Sequence, residues 1–420
     1  MAEPIPGVVY QRTYPDKSWY AKGRPPLLDE PDPSSIFRPT SVATLAEARA
    51  LTGAPANANY VVWDPSWTHL QQAFSALGSN DILVLPERPQ PYLIDSQYGF
   101  MAAGVKEVDG VGADGKKNGS RIPIVSRNNL WFAMSRAPRG VIGLGPGAVV
   151  QPSVSSFTRQ AQPILQDQSA GNQTMLRYML DGSTAEMYGV QEKLIECEHM
   201  DSFFGNFTLR GRDFGGVAYN GIVTAPPSGG KTRISRMHFD GCWRGHAGVP
   251  NGETGGLAVT RASYVIESCD FHSVGGPSPI MWNRSAGGSV THVRQDKPNY
   301  GMFTYWRCGG VNTLTDVLMD TGQIGFNLEE NLAGFTLNIN GGRMMLDYPQ
   351  SNRRFHLNIN PSGGSIKVAL KGVQVSGNGY TPGTVSAHVY TTAGVQKRSD
   401  ITSDTLPVSY LAGAGSTSWI

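Results

Sequence analysis

The segment from Phe335 to Gly364 constrains the fold more than any other part of the chain. It carries one phrase twice, Phe335-Thr-Leu337-Asn338-Ile339-Asn340-Gly341-Gly342 and Phe355-His-Leu357-Asn358-Ile359-Asn360, with the second copy closed by Gly363-Gly364. Apolar and polar residues alternate strictly in both copies. That is the period of a β-strand with one dry face and one wet face. Two such strands at a fixed offset, each ended by glycine, predict successive coils of a solenoid, with Phe335 over Phe355 and Leu337 over Leu357. A pair of strands in an ordinary antiparallel sheet is the other arrangement that this spacing allows.

Further segments align with this pattern. Phe207-Thr-Leu209-Arg210, Met237-His-Phe239-Asp240, Cys269-Asp-Phe271-His272 and Val317-Leu-Met319-Asp320 share the alternation, and Val368-Ala-Leu370-Lys371 continues it. The predicted inward columns are Phe207, Met237, Cys269, Val317 and Phe335, then Leu209, Phe239, Phe271, Met319 and Leu337. The unequal intervals predict loops of different length leaving the coils. Composition agrees: 51 glycines, 28 prolines and only 16% charged residues leave little material for long amphipathic helices.

Other elements flank the coils. Thr44-Leu-Ala-Glu47 is a capping box predicting a helix to Leu51, ended by Gly53. A second helix is predicted from Ser66 or Thr68 to Leu77, with Leu70, Ala73, Phe74 and Leu77 on one face. Short strands follow at Asp81-Ile-Leu-Val-Leu-Pro86 and Tyr92-Leu-Ile-Asp95, and Gly140-Val-Ile-Gly-Leu-Gly-Pro-Gly147 followed by Ala-Val-Val150 adds another. Residues 104 to 128 and 153 to 183 read as insertions, with strand and helix both open for Thr174 to Leu180. Residues 1 to 40 hold eight prolines interleaved with Tyr10, Tyr14, Trp19, Tyr20 and Phe37. Proline at that density excludes a helix or central strand, and the aromatics favour an extended arm that docks on its own body or on a partner.

Cys197, Cys242, Cys269 and Cys308 form no C-x-x-C pair and lie in strand-like segments, so they are expected to be reduced and buried. A formal charge of +2 argues against a dedicated nucleic-acid binder. Met1-Ala-Glu-Pro-Ile-Pro lacks the basic and apolar regions of a signal peptide, and no apolar run is long enough to cross a bilayer. Synthesis in a cytoplasm without membrane insertion is the expectation.

The order of a helix, Asp81-Ile-Leu-Val-Leu-Pro86, Tyr92-Leu-Ile94 and Gly140-Val-Ile-Gly-Leu-Gly145 resembles the opening of the pectin-lyase-like class. The resemblance implies an all-β, right-handed parallel β-helix with a short N-terminal capping helix and an extended N-terminal arm. With the missing export signal and the aromatic arm, the chain resembles a bacteriophage minor tail protein, tail fibre or tailspike. That resemblance implies a virion component made in the host cytoplasm, a homotrimer, attachment to other tail or baseplate proteins through the arm, and contact with host-surface glycan. The expected division is residues 1–58 for attachment, 59–377 for the β-helix body, and 378–420 for a C-terminal cap or tail.

The same alignment sets an outward column of Arg210, Asp240, His272, Asp320, Asn338 and Lys371. Asp240, His272 and Asp320 are the candidate catalytic residues, because paired acid and base groups along a groove can cut a polysaccharide by hydrolysis or elimination. A solvated polar face carries the same residue types. Glu267, Asp270, Glu329 and Glu330 are weaker candidates. No cofactor or metal is expected. Gly143-Leu-Gly-Pro-Gly147 precedes no helix pattern, and Pro227-Ser-Gly-Gly-Lys-Thr232 lacks the first glycine of a phosphate loop. His238 and Cys242 face opposite sides of one strand, which argues against a metal site with His246.

Overall fold

A computed structural model describes residues 37–419 apart from 95–105, 112–116, 125–130, 134, 153–164, 168–173, 177–190, 212–218, 228, 243–253, 273–277, 297–300, 321–323, 346–354, 362–364, 377–386, 392–394 and 413–417. The chain winds as a parallel β-helix. Each turn lays strands on the preceding turn, and every pairing in the two large sheets is parallel. A parallel pair cannot be closed by a two-residue turn, so the chain must travel round the other faces before it returns.

The larger sheet is two ladders joined at a bend. The first ladder includes Asp81–Leu85, Gly140–Gly143, Asp201–Gly205, Lys231–Ser235, Val311–Thr315, Thr336–Asn340, Lys367–Lys371 and Ile401–Ser403. The second includes Tyr92–Ile94, Val149–Pro152, Thr208–Arg210, His238–Asp240, Leu318–Asp320, Arg343–Met345 and Gln374–Ser376. The strands Ser263–His272 and Gly288–Asp296 run through both. The smaller sheet closes the third side, from Trp131–Ala133 through Gln191–Cys197, Tyr219–Thr224, Thr254–Thr260, Ser278–Asn283, Gly301–Trp306, Ile324–Asn331, Phe355–Pro361 and Ala387–Thr391 to Val408–Ala412. These later strands carry the coils past Gly377.

From Asn206 onward the bend between the ladders takes a left-handed residue in successive turns. Asn206, Arg236, Ser268, His292, Asp316, Gly341 and Gly372 fill it, with φ between 51° and 66°. Asparagine and glycine suit that conformation, and the remaining types occupy it at some cost.

The core is a set of dry columns. Leu209, Phe239 and Phe271 are in register and buried. The rings of Phe239 and Phe271 stack at 4.6 Å with an interplanar angle of 2°. Gly288 serves a different purpose: a Cβ there would lie 2.7 Å from Cγ of Tyr264. The bare backbone lets the Tyr264 ring lean across one coil, so that its hydroxyl donates to Oδ1 of Asn312 at 2.8 Å. All four cysteines are free and buried, as expected. Burial pushes the thiols of Cys197, Cys269 and Cys308 up to about 12.

Two alignments need correction. The strand holding Phe335's phrase, Thr336–Asn340, belongs to the first ladder, where Leu337 pairs with Asn312 and Val368. Phe355–Pro361 belongs to the smaller sheet, where Leu357 pairs with Phe326 and Val389. The two copies therefore lie on different faces of one turn and do not stack. Strict alternation specifies a strand with one dry side and does not say which of three sheets it joins. The inward column also contains one coil more than the alignment: Cys269 pairs with Val293, and Gln295 stands between Phe271 and Met319.

Helix α1 (Leu45–Thr52) has both halves of its capping box and ends at Gly53 with φ 62°. It lies outside the first coils, where Ala48 packs with Ile82, Val84, Ile142 and Phe203. Helix α2 (Leu70–Ala76) buries Leu70, Ala73 and Phe74 in the main core beside Trp63. It covers the open end, where a parallel stack would otherwise leave apolar side chains in water. The first expected insertion contains an antiparallel hairpin, Lys106–Val111 with Lys117–Ile124. In the second, Thr174–Leu176 is a strand paired with Leu165–Asp167.

The stacked rings give a direct test. Phe239→Ala should cost about 4 kcal/mol and Phe239→Leu distinctly less, read from chemical denaturation. A loss under about 1 kcal/mol for alanine would contradict a dry, close-packed column.

Candidate functional site

The second ladder carries the polar column that the sequence analysis singled out. Backbone register runs Arg210, Asp240, His272, Asp296, Asp320 and then Met345. Asp240, His272 and Asp320 are thus brought into one column, and Asp296 stands between the last two. Asp296 is absent from the column read in the sequence because Gln295 stands at the inward place that an apolar residue marks in the other coils, although Ser289-Val-Thr-His-Val293 shows the alternation. Asn338 and Lys371 belong elsewhere: they lie on the first ladder, in register with Thr313 and Asn340 respectively.

A neighbouring column on the same ladder runs Thr208, His238, Asp270, Arg294 and Leu318. Together the two columns bring Arg210, His238, Asp240, Asp270, His272 and Arg294 to the outward side of the second ladder. Asp240 is 5% exposed and accepts a hydrogen bond from Nε of Arg210 at 3.0 Å. Arg210 also reaches Oε1 of Gln151 at 3.4 Å. The imidazoles of His238 and His272 lie 6.2 Å apart.

Asp270 is the most enclosed member, with no exposed surface. Its Oδ2 accepts from Nε of Arg38 at 2.9 Å and lies 3.1 Å from Nδ1 of His238. Burial alone would push the Asp270 carboxyl up. The close approach of His238 and the charges of Arg294 and Arg38 outweigh burial and hold it below the ordinary carboxylate range. Asp270 is therefore a locked anion, and a general acid must hold a proton near neutral pH.

Arg38 comes from the end of the proline-rich arm, 232 residues away in sequence. Residues 1–36 lie outside the described part of the chain, but the stretch from Phe37 to Val42 lies along the bend of the large sheet. Phe37 is buried. Thr40 donates its backbone N–H to Oδ1 of Asn206 at 2.7 Å and accepts from Nδ2 at 2.9 Å, while Nδ2 also donates to the carbonyl of Gly143 at 3.0 Å. Val42 donates its N–H to the Leu144 carbonyl at 2.9 Å. Nothing in the order of residues pairs Arg38 with Asp270, and sequence reasoning missed this contact.

No family model, curated protein or solved structure matches this chain. The site must be judged on its own geometry. Asp240 and Asp270 are engaged with basic groups, and Arg139 of the first coils is likewise enclosed, bonded to Asn57, Asn80 and Asp201. The cluster fastens the arm to the sheet and screens buried charge. Among the described residues no group of three or more His, Cys, Asp and Glu could hold a metal ion. His246 lies outside the described residues. No helix among them is long and apolar enough to cross a membrane.

Asp270 sets a pH dependence whose sign follows from its depressed titration. A carboxyl with a lowered folded pKa adds stability that is complete above its unfolded value of about 3.9 and is lost as pH falls through the folded value. Asp270→Asn should cost about 2 kcal/mol at neutral pH, less than a fully buried pair because Arg38 is partly exposed. Its stability should also fall less steeply in acid than that of the unaltered protein. Parallel acid-denaturation curves for the two proteins would contradict this account.

Proposed function

We propose that this chain is a bacteriophage tail protein, of the minor tail protein, tail fibre or tailspike kind, whose β-helical body contacts host-surface glycan without cutting it. The observation that supports binding over catalysis is the state of two candidate carboxylates among the described side chains. Asp240 is tied to Arg210, and Asp270 to Arg38 and His238. A depolymerase needs one carboxylic acid and one free carboxylate on either side of a glycosidic bond. The parallel stack offers a long outer surface of regularly spaced side chains, a geometry suited to an extended polymer. In this proposal residues 1–58 join other tail or baseplate proteins, the assembly is a homotrimer, and the protein resides in the virion.

Depolymerase activity is the second reading, favoured by one observation: Asp240, His272 and Asp320 do share a register column with Asp296. The test uses purified protein with capsule, lipopolysaccharide and cell-wall polysaccharide from a bacterial panel. Retention of a glycan with no release of oligosaccharides is the expected result. Release that disappears in Asp240→Asn or Asp320→Asn would overturn the binding reading and establish the enzyme.

A further inference from the structure

The corner that follows four successive strands of the smaller sheet repeats in a way the proposed function does not use. Arg261, Arg284, Arg307 and Glu330 recur every 23 residues and occupy equivalent places in four successive turns. Each adopts a left-handed backbone, with φ of 59°, 55°, 53° and 49°. The ladder of backbone bonds continues through the corner: the N–H groups of Arg261, Arg284 and Arg307 donate to the carbonyls of Asn283, Trp306 and Glu329 at 2.8, 2.8 and 2.9 Å. The buried residues Ala262, Ser285, Cys308 and Asn331 follow directly, so the register of the corner is fixed.

The left-handed conformation disfavours side chains with a Cβ, and glycine or asparagine would fill it more cheaply. The bend between the two ladders has a similar backbone and is filled by a mixture of Asn, Arg, Ser, His, Asp and Gly. Geometry alone therefore does not select arginine. Three arginines in successive turns also place like charges about 4.8 Å apart, the spacing of neighbouring strands. Among the described residues only Arg307 meets a carboxylate: its Nε donates to Oε2 of Glu330 at 2.6 Å. Arg261 is exposed and makes a single contact of 3.4 Å to the Pro227 carbonyl, and Arg284 is exposed with no partner among the described residues.

Two neighbours complete the edge. Trp306 is partly exposed, and the Arg307 guanidinium sits 4.9 Å from its ring centroid. Asn283 presents a buried Oδ1 that has no hydrogen-bond partner among the described residues. An aromatic ring one coil from the exposed Arg284 combines a stacking surface for a sugar with a donor that matches carboxylate, sulfate or phosphate oxygens.

We propose that the edge formed by Arg261, Arg284 and Arg307, with Trp306, binds an acidic polysaccharide lying along the helix axis, successive anionic groups meeting successive arginines. This rests on the glycan-contact reading above and narrows it to acidic glycans. The near-neutral formal charge of +2 favours a local saccharide site over a nucleic-acid surface.

The experiment measures binding of the full chain to polygalacturonate, heparin, neutral dextran and oligo(dT), at low and at high ionic strength. Polygalacturonate and heparin should bind and dextran should not, with affinity falling as salt screens the charges. Asparagine tolerates the left-handed backbone, so the double variant Arg261→Asn/Arg284→Asn should keep or raise the melting temperature while weakening Kd at least tenfold. Lys367→Gln/Lys371→Gln removes the same charge from exposed positions on the first ladder and should leave Kd unchanged. An unchanged Kd in the arginine variant, an equal loss in the lysine variant, or tighter binding to oligo(dT) than to either polysaccharide would overturn the assignment. If bacterial surface glycan is retained equally by the arginine variant, host contact survives and this edge is wrong. If the acidic probes bind through Arg261 and Arg284 but no bacterial glycan is retained, the edge stands and host contact fails.

Discussion

Everything in this fold depends on the parallel backbone register between one coil and the next. Each turn donates and accepts hydrogen bonds along its full strands, so it both rests on its predecessor and serves as template for its successor. The stacked side chains follow from that register: once Leu209 is opposite Phe239, Phe239 must be opposite Phe271. Contacts are therefore made between residues only a few tens of positions apart, which keeps loop-closure costs modest for a β protein. The scheme leaves one problem at the start of the stack, and α2 solves it by covering the first core layer with Leu70 and Phe74.

The solenoid was legible because it needs only a local signal, the alternation of apolar and polar residues, repeated many times. The same signal explains what was misread. Phe335 and Phe355 begin nearly identical strands, but alternation carries no label for the sheet that a strand joins, and the two lie on different faces. The column through Asp240, His272 and Asp320 was recoverable because a short, fixed step follows each inward Phe or Met. Asp296 escaped because Gln295, a polar residue, occupies the inward place where an apolar one marks the other coils. The partnership of Arg38 with Asp270 was invisible, since it is set by how the arm crosses the sheet.

The charged groups fall into two kinds. Those near the bend of the large sheet are spent within the molecule: Asp240 on Arg210, and Asp270 on Arg38 and His238. Those at the opposite end of the coil, at Arg261 and Arg284, are held at a backbone geometry that does not favour them and are left facing water. Internal pairing stabilises the fold. Like charges repeated without a partner among the described residues do the reverse, since they repel one another along the stack.

The stretch from Phe37 to Val42 has a mechanical consequence. It is bonded to Leu144, to Asn206 and to Asp270, which belong to different turns of the rod. A pull on the chain ahead of Phe37 would load these attachments side by side, as shear spread over several turns, and would not unzip the first strand alone. The rod is gripped along its flank, like a spindle held by a clip.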